Sequence, residues 1–155
     1  MKKLRLIKTR KVKTPERTGK NAGFDFFVPT DIEHDVVLGG FYLNPGDNMN
    51  IASGIKVRLP DNHCLIAFNK SGIASKLGLI AGACVVDENY TGEIHLNVIN
   101  ISQEPVLIKP DMKLLQFVLI KQTYFDVCEC KNEEELYEGF DVSERGDRGF
   151  GSSGV

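Results

Sequence analysis

Asp87 directly follows two valines in the run AGACVVDENYTGEIHLNVIN. A carboxylate in that place must be paired, hydrated or working. One that holds a single water can serve as a general base, a role worth on the order of 10²–10⁴ in rate. The plainer reading is a turn aspartate bonded to its own backbone. A second chemistry lies in FNKSGIASK, where Lys70, Ser71 and Gly72 bring a cation, a hydroxyl and free backbone N–H groups to a strand-to-helix junction. That set suits a phosphate or another anion, although Ser-Gly at a helix start is also an ordinary cap. The third stretch is the end, RGDRGFGSSGV. Its GSSG looks like a cloning linker, but Arg145, Arg148 and Phe150 amid glycines describe a lid. Guanidinium forks grip phosphate, a ring stacks on a base, and closure expels water.

Together these stretches make nucleotide phosphate hydrolysis plausible: anion grips, an isolated carboxylate, a hairpin whose backbone could read a flat heterocycle, and a lid. The chain has no GxxxxGK, so it is not a P-loop enzyme. His34, His63 and His95 stand at no spacing that suggests a Ser-His-Asp triad.

The elements that must position these groups read as strands. Short apolar runs bounded by Gly, Pro, Asn or Asp recur, among them FDFFVP, GFYLNPGD, NIASGIKVRLP, HCLIAF, GEIHLNVINI, EPVLIKPD and KLLQFVLIKQTYF. Several alternate apolar and polar, the period of a half-buried strand, and the spacing of strands and turns points to an all-β sandwich or barrel. LRLIK reads as an edge strand whose lysines discourage association. Two short helices are expected: SGIASKLGL, with Ser71 as start and Gly78 as stop, and NEEELYEGF, with Asn132 as cap and Glu135 three residues on.

The chain of 155 residues is long enough for one domain with a real core. A net charge of -2, with 42% hydrophobic and 26% charged residues, argues against a general nucleic-acid or membrane-surface binder. No apolar run reaches the length of a transmembrane helix, and no apolar stretch follows the N-terminal charges as in a signal peptide. Four cysteines, at 64, 84, 128 and 130, show no disulfide framework. DVCEC alternates like a strand, and its CxC lacks the second cluster of a zinc site. A reducing cytoplasm is the expected compartment.

AGFDF, NKSG, VVDENYTGEI, LLQFV and RGDRGFGSSG, in this order and at these separations, resemble the five motifs of the trimeric dUTP pyrophosphatases, or dUTPases. The resemblance runs from about residue 22 to the end. It implies a distorted β jelly-roll subunit of the β-clip type, domain 1–142 with a C-terminal arm 143–155, in a homotrimer with active sites at the subunit interfaces. It also implies Mg²⁺-dependent hydrolysis of dUTP to dUMP and pyrophosphate, the metal riding on the triphosphate and held by no protein ligand directly.

Residue by residue, Asp87 matches the aspartate that activates water, and Tyr90 the tyrosine under the sugar that leaves no room for a ribose 2′-OH. The backbone of Gly82, Val85 and Val86, returning near His95, matches the hairpin that pairs with uracil. Lys70, Ser71 and Gly72 match the phosphate-binding turn, Gln116 the glutamine near the α-phosphate, and Asp25 a supporting carboxylate by the metal's waters. On the arm, Phe150 would lie over uracil, Arg145 would hold the γ-phosphate, and Gly151, Ser152 and Ser153 would give donors to the phosphates. Departures are Lys70 for the usual Arg, Cys84 for a glycine in the hairpin, and Arg148 for a glycine of the arm.

Two rivals are weighed beside it. A dCTP deaminase needs a catalytic glutamate where this chain has Asn97, and an amide cannot shuttle its proton. A dUTPase-like regulatory binding protein is the rival from another class, against which the complete site residues speak.

Overall fold

A computed structural model of the chain describes residues 4–32, 39–141 and 146. In order, the chain forms β1 (Arg5–Lys8), β2 (Gly23–Phe27), β3 (Phe41–Leu43), β4 (Asn48–Arg58), β5 (His63–Asn69), α1 (Ser71–Leu77), β6 (Leu79–Ala81), β7 (Val85–Val86), β8 (Glu93–Asn100), β9 (Val106–Ile108), β10 (Lys113–Lys121) and α2 (Glu133–Leu136). Each expected apolar run up to residue 121 contributes a strand, so the all-β reading holds.

Long-range pairing sorts the strands into a sheet of order β1-β4-β8-β6, a second of order β2-β10-β5-β7, and the ribbon β3-β9. Every pairing between named strands is antiparallel. β1 lies at an edge, as its lysine-flanked sequence suggests. Strand alternation puts Ile94, Leu96 and Val98 of β8 inward and leaves His95 out. They join Phe26, Ile51, Ile55, Leu65, Leu114, Leu115 and Phe117 in one core shared by both sheets. Burying each such side chain contributes about 1.5–3 kcal/mol. The rings of Phe26 and Phe117 meet at 4.5 Å between centroids, tilted by 48°.

A register shift in β4 between Ala52 and Lys56 is built around Gly54, whose φ is 74°. A Cβ there would lie 2.4 Å from Arg10 Cγ, so glycine is required by both conformation and space. Glu93 fastens the shift: its Oε1 accepts from Gly54 N–H at 2.6 Å and lies 3.4 Å from Arg10 Nε. α1 ends at Gly78 in the left-handed conformation, φ 63°, as expected of a C-terminal glycine.

The chain divides into two compact units, Met1–Thr123 and Tyr124–Val155. In the second, the Asn132 side chain accepts from Glu135 N–H at 2.9 Å, which caps α2 as expected, and the Tyr137 and Phe140 rings lie 6.4 Å apart. DVCEC is not a strand. Among the described residues its alternation meets no neighbouring strand, and residues 126–129 are exposed. Among the described residues no helix is long and apolar enough to cross a membrane.

Candidate active site

The strand before the DENYTG turn changes sheets, and this change makes the site. β6 pairs with β8 through Leu79↔Asn100, Ile80↔Ile99 and Ala81↔Val98, and Gly82 N–H still reaches the Asn97 carbonyl at 3.1 Å. Beyond Gly82 the chain leaves β8. Val85 and Val86 pair with Ile66 and Leu65 of β5, and the Cys84 carbonyl accepts from Ala67 N–H at 2.8 Å. The expected hairpin is therefore closed at its base and parted above it.

A cleft of about 230 Å³ fills the gap, lined by residues 83–87, Tyr90, Ile94, His95 and Asn97, with Asn50 and Phe117. Among the described residues no backbone hydrogen bond joins β7 to β8. Both strands thus turn an unpaired edge to the cleft, and groups left unpaired there are donors and acceptors for a flat polar ligand.

At the turn, Tyr90 N–H donates to the Asp87 carbonyl at 3.1 Å and Tyr90 Oη donates to the Glu93 carbonyl at 2.9 Å. A Cβ at Gly92 would fall 2.3 Å from Tyr90 Oη, so the glycine of YTG is what lets the ring lie over the turn. Asp87 is exposed on the cleft, and its carboxylate bonds no group among the described residues. The plainer reading, a turn aspartate satisfied by its own backbone, does not apply. His95 is turned to its own strand: Nδ1 lies 3.0 Å from the Glu93 carbonyl. Cys84 is half-buried, a cleft residue that also packs on the core.

A second cluster sits where β2, β10 and the start of α1 converge. Gln116 of β10 stands opposite Asp25 of β2 on one side and Phe68 of β5 on the other. The Asp25 carboxylate is shared between two ammonium groups: Oδ1 pairs with Lys70, and Oδ2 lies 3.6 Å from Lys113. Lys113 also pairs with Glu16, and that hydrogen bond is the main reason its pKa is raised above the ordinary lysine value. Gln116 Nε2 donates to the Asn69 carbonyl at 2.9 Å, and Asn69 Oδ1 accepts from Ala81 N–H at 2.7 Å. A Cβ at Gly23 would lie 2.5 Å from Gln116 Oε1, which explains the glycine of AGFDF. Ser71 is the first residue of α1, and Ser71 and Gly72 are exposed, with nothing within 4 Å of where a Gly72 Cβ would be.

Two groups of residues thus converge, Val85, Val86, Asp87, Tyr90 and His95 at the cleft, with Gly82 at its base, and Asp25, Lys70 and Gln116 with Ser71 at the cationic corner. No hydrogen bond or ion pair among the described residues links one group to the other. Arg145, Arg148, Phe150, Gly151, Ser152 and Ser153 lie outside the described residues. Sequence reasoning passed over Lys113 and Glu16, which frame Asp25, and it assigned no site role to Asn50 or Asn97. The signal for the last two was polar residues at the outward positions of two adjacent strands, NMN and HLN.

The dUTPase family model matches residues 10–154. The deoxyuridine 5′-triphosphate nucleotidohydrolase of Caldanaerobacter subterraneus subsp. tengcongensis is 38% identical over 121 residues, covering 77% of each chain. The Pol polyprotein of equine infectious anemia virus (strain Wyoming) is 31% identical over 140 residues, 90% of this chain but 11% of the polyprotein, so the chain spans about a tenth of that relative. In structure, a point mutant of the Staphylococcus bacteriophage 80alpha dUTPase with dUpNHpp superposes with a TM-score of 0.79 at 22% identity over all of both chains, which establishes the shared fold. An all-β chain with an open cleft beside a free carboxylate, matched by the family model almost end to end, belongs to the dUTPase family.

Proposed function

We propose that this chain hydrolyses dUTP to dUMP and pyrophosphate by attack of water on the α-phosphate. The observation that carries the reading is the free Asp87 carboxylate on a cleft with two unpaired strand edges. Asp87 takes a proton from the water as its oxygen bonds to phosphorus, the bridging oxygen to the β-phosphate leaves with pyrophosphate, and the proton passes to solvent. The edges of β7 and β8 pair with the polar rim of uracil, and rejection of a wrong base follows from leaving such groups unpaired, by up to roughly 10⁴–10⁵. Tyr90, fixed to Glu93, lies under the deoxyribose and leaves no space for a 2′-OH.

Lys70, Ser71, Gly72 and Gln116 bind the phosphates. Lys70 offers a point charge rather than a fork, shared with Asp25 until substrate arrives. Donor chemistry at the corner fits Mg²⁺ carried by the triphosphate, because the Asp25 carboxylate is already paired with two ammonium groups. Asp25 would reach the metal through its waters. When bound with the triphosphate, Mg²⁺ would supply positive charge to the leaving pyrophosphate.

The active assembly is a homotrimer in which one subunit's cleft meets another's cationic corner and the arm 143–155 closes over both. Two observations support this: the two groups are unlinked among the described residues, and Ile7, Tyr42 and Ile101 are exposed by 50% or more, apolar surface of the kind an assembly covers. Within the arm, Phe150 covers uracil, Arg145 takes the γ-phosphate, and Gly151, Ser152 and Ser153 donate to the phosphates.

Pyrophosphate release with Mg²⁺ is to be measured separately for dUTP, UTP, dCTP and dTTP. Release from dUTP alone is the expected result. No release from any, by a folded oligomer, overturns the reading in favour of a regulatory binding protein.

A further inference from the structure

Asn97 is a buried polar residue at an outward position of its strand. It projects from the face of β8 opposite the core, yet it is only 4% exposed, because Gly82 and Ala83 cover it. All its amide groups are engaged. Oδ1 accepts from Ala83 N–H at 2.7 Å, and Nδ2 donates to Asn48 Oδ1 and Asn50 Oδ1, each at 2.6 Å, with a longer approach of 3.4 Å to the Met49 carbonyl. A Cβ on Gly82 would lie 1.9 Å from Asn97 Oδ1. Its orientation follows from its partners: a backbone N–H can only donate, so Oδ1 must face Ala83 and Nδ2 must face the other two asparagines.

The orientation passes on to Asn50, which stands directly opposite Asn97 in the β4·β8 ladder and lines the same cleft. Its Oδ1 is taken by Asn97, so its Nδ2 is the group left to offer a ligand, and no described residue accepts from it. An amide free to turn would present either a donor or an acceptor. This one is held as a donor. Uracil carries a carbonyl at position 4 where cytosine carries an amine, so a fixed donor matches the first and opposes the second.

We propose that Asn50 is a specificity-determining residue of this cleft, donating from Nδ2 to the 4-carbonyl of the pyrimidine, and that Asn97 is the positioning residue that holds its amide in that sense. The inference rests on the reading that the cleft receives the base of a pyrimidine nucleotide. It assigns to two side chains a part of the base selection otherwise left to backbone.

The test is kcat/KM for dUTP and dCTP in the wild type and in Asn50→Ala, Asn50→Asp and Asn97→Asp, with thermal unfolding of each. Asn50→Ala removes the donor and is expected to lower kcat/KM for dUTP about 10- to 100-fold while dCTP changes less than threefold. Asn50→Asp puts an acceptor in its place and is expected to lower the dUTP:dCTP ratio about 100-fold or more. Asn97→Asp replaces the donor facing Asn50 by an acceptor, so the Asn50 amide is expected to turn its Oδ1 to the cleft and the ratio to fall about tenfold.

Asn50 is exposed, and Asn50→Asp keeps an oxygen to accept from Asn97, so the Asn50 variants are expected to fold even if Asn97→Asp does not, with thermal unfolding reporting any loss of stability separately from the ratio. A ratio within threefold of wild type in both Asn50 variants overturns the inference. A parallel loss for both substrates does so too, since a purely structural role predicts that. Should the wild type fail to turn over dUTP, the proposed activity falls, and equilibrium binding of dUMP and dCMP tests the inference by itself. The same ratio change in Asn50→Ala supports it, and an unchanged ratio overturns it.

Discussion

The cleft and the cationic corner are built from opposite materials. The cleft is lined by apolar side chains, neutral amides and strand edges, with one carboxylate at its mouth. Its geometry is held by hydrogen bonds of 2.6–3.1 Å at Gly82, Ala83, Tyr90 and Asn97. The corner is held by charge: Asp25 between Lys70 and Lys113, and Lys113 again on Glu16. Short neutral hydrogen bonds depend on position, and they lose their worth with small displacements. Exposed charges reach further and are screened by salt. Under the proposed function, the cleft would tell one base from another and the corner would draw in a triphosphate of any base.

The largest expected effect tests the one charge on the cleft side. Asp87→Asn keeps shape and removes the base, so kcat falls about 10²–10⁴-fold while the affinity for dUMP stays within a factor of a few; normal turnover would remove Asp87 from the mechanism. Gly82→Ala strikes the cleft's spacing, because the new Cβ meets Asn97 Oδ1. It is expected to destabilise the fold by about 1–3 kcal/mol and to lower base selectivity, both visible in unfolding and in the dUTP:dCTP ratio.

Lys70→Ala strikes the corner. KM for dUTP should rise about tenfold with base selectivity unchanged, and the rise of KM with added salt should flatten. A change of selectivity in this variant would mean that the two regions are not separable. The smallest effect belongs to Lys113→Met. Glu16 raises the Lys113 pKa in the folded state, so its contribution to stability is fully present below the unfolded value of about 10.4 and is lost as pH rises through the folded one. Thermal unfolding of variant and wild type should differ by a constant small amount from pH 6 to 9 and converge in stronger alkali.

Local features were legible because their causes are local. Alternation in EIHLNVIN, the stop at Gly78, the cap at Asn132 and the edge lysines near LRLIK each depend on a few neighbouring residues, and each stands as expected. DVCEC shows the limit. Its pattern is as good as that of a strand, but a strand exists only where a partner meets it. The hairpin at 81–98 shows the same limit within the site. Nothing in AGACVV marks the residue at which the chain leaves β8 for β5, since the competing partner lies some 20 residues back in the sequence.

The order of the motifs, and with it the family, was legible in the sequence alone, and Asp87, Tyr90, Lys70 and Ser71 stood out as candidates because residue type decides what a side chain can donate, accept or ionise. Which residues meet within the chain was decided by the tertiary structure. Lys70 meets Asp25 across 45 positions and Asn97 meets Asn50 across 47, separations over which composition and periodicity carry no information. Only the crossing of β7 from one sheet to the other opens the cleft, and only the buried amide of Asn97 gives Asn50 a fixed sense. Both arise from packing between distant strands, where the energy lies in contacts that no short stretch of sequence contains.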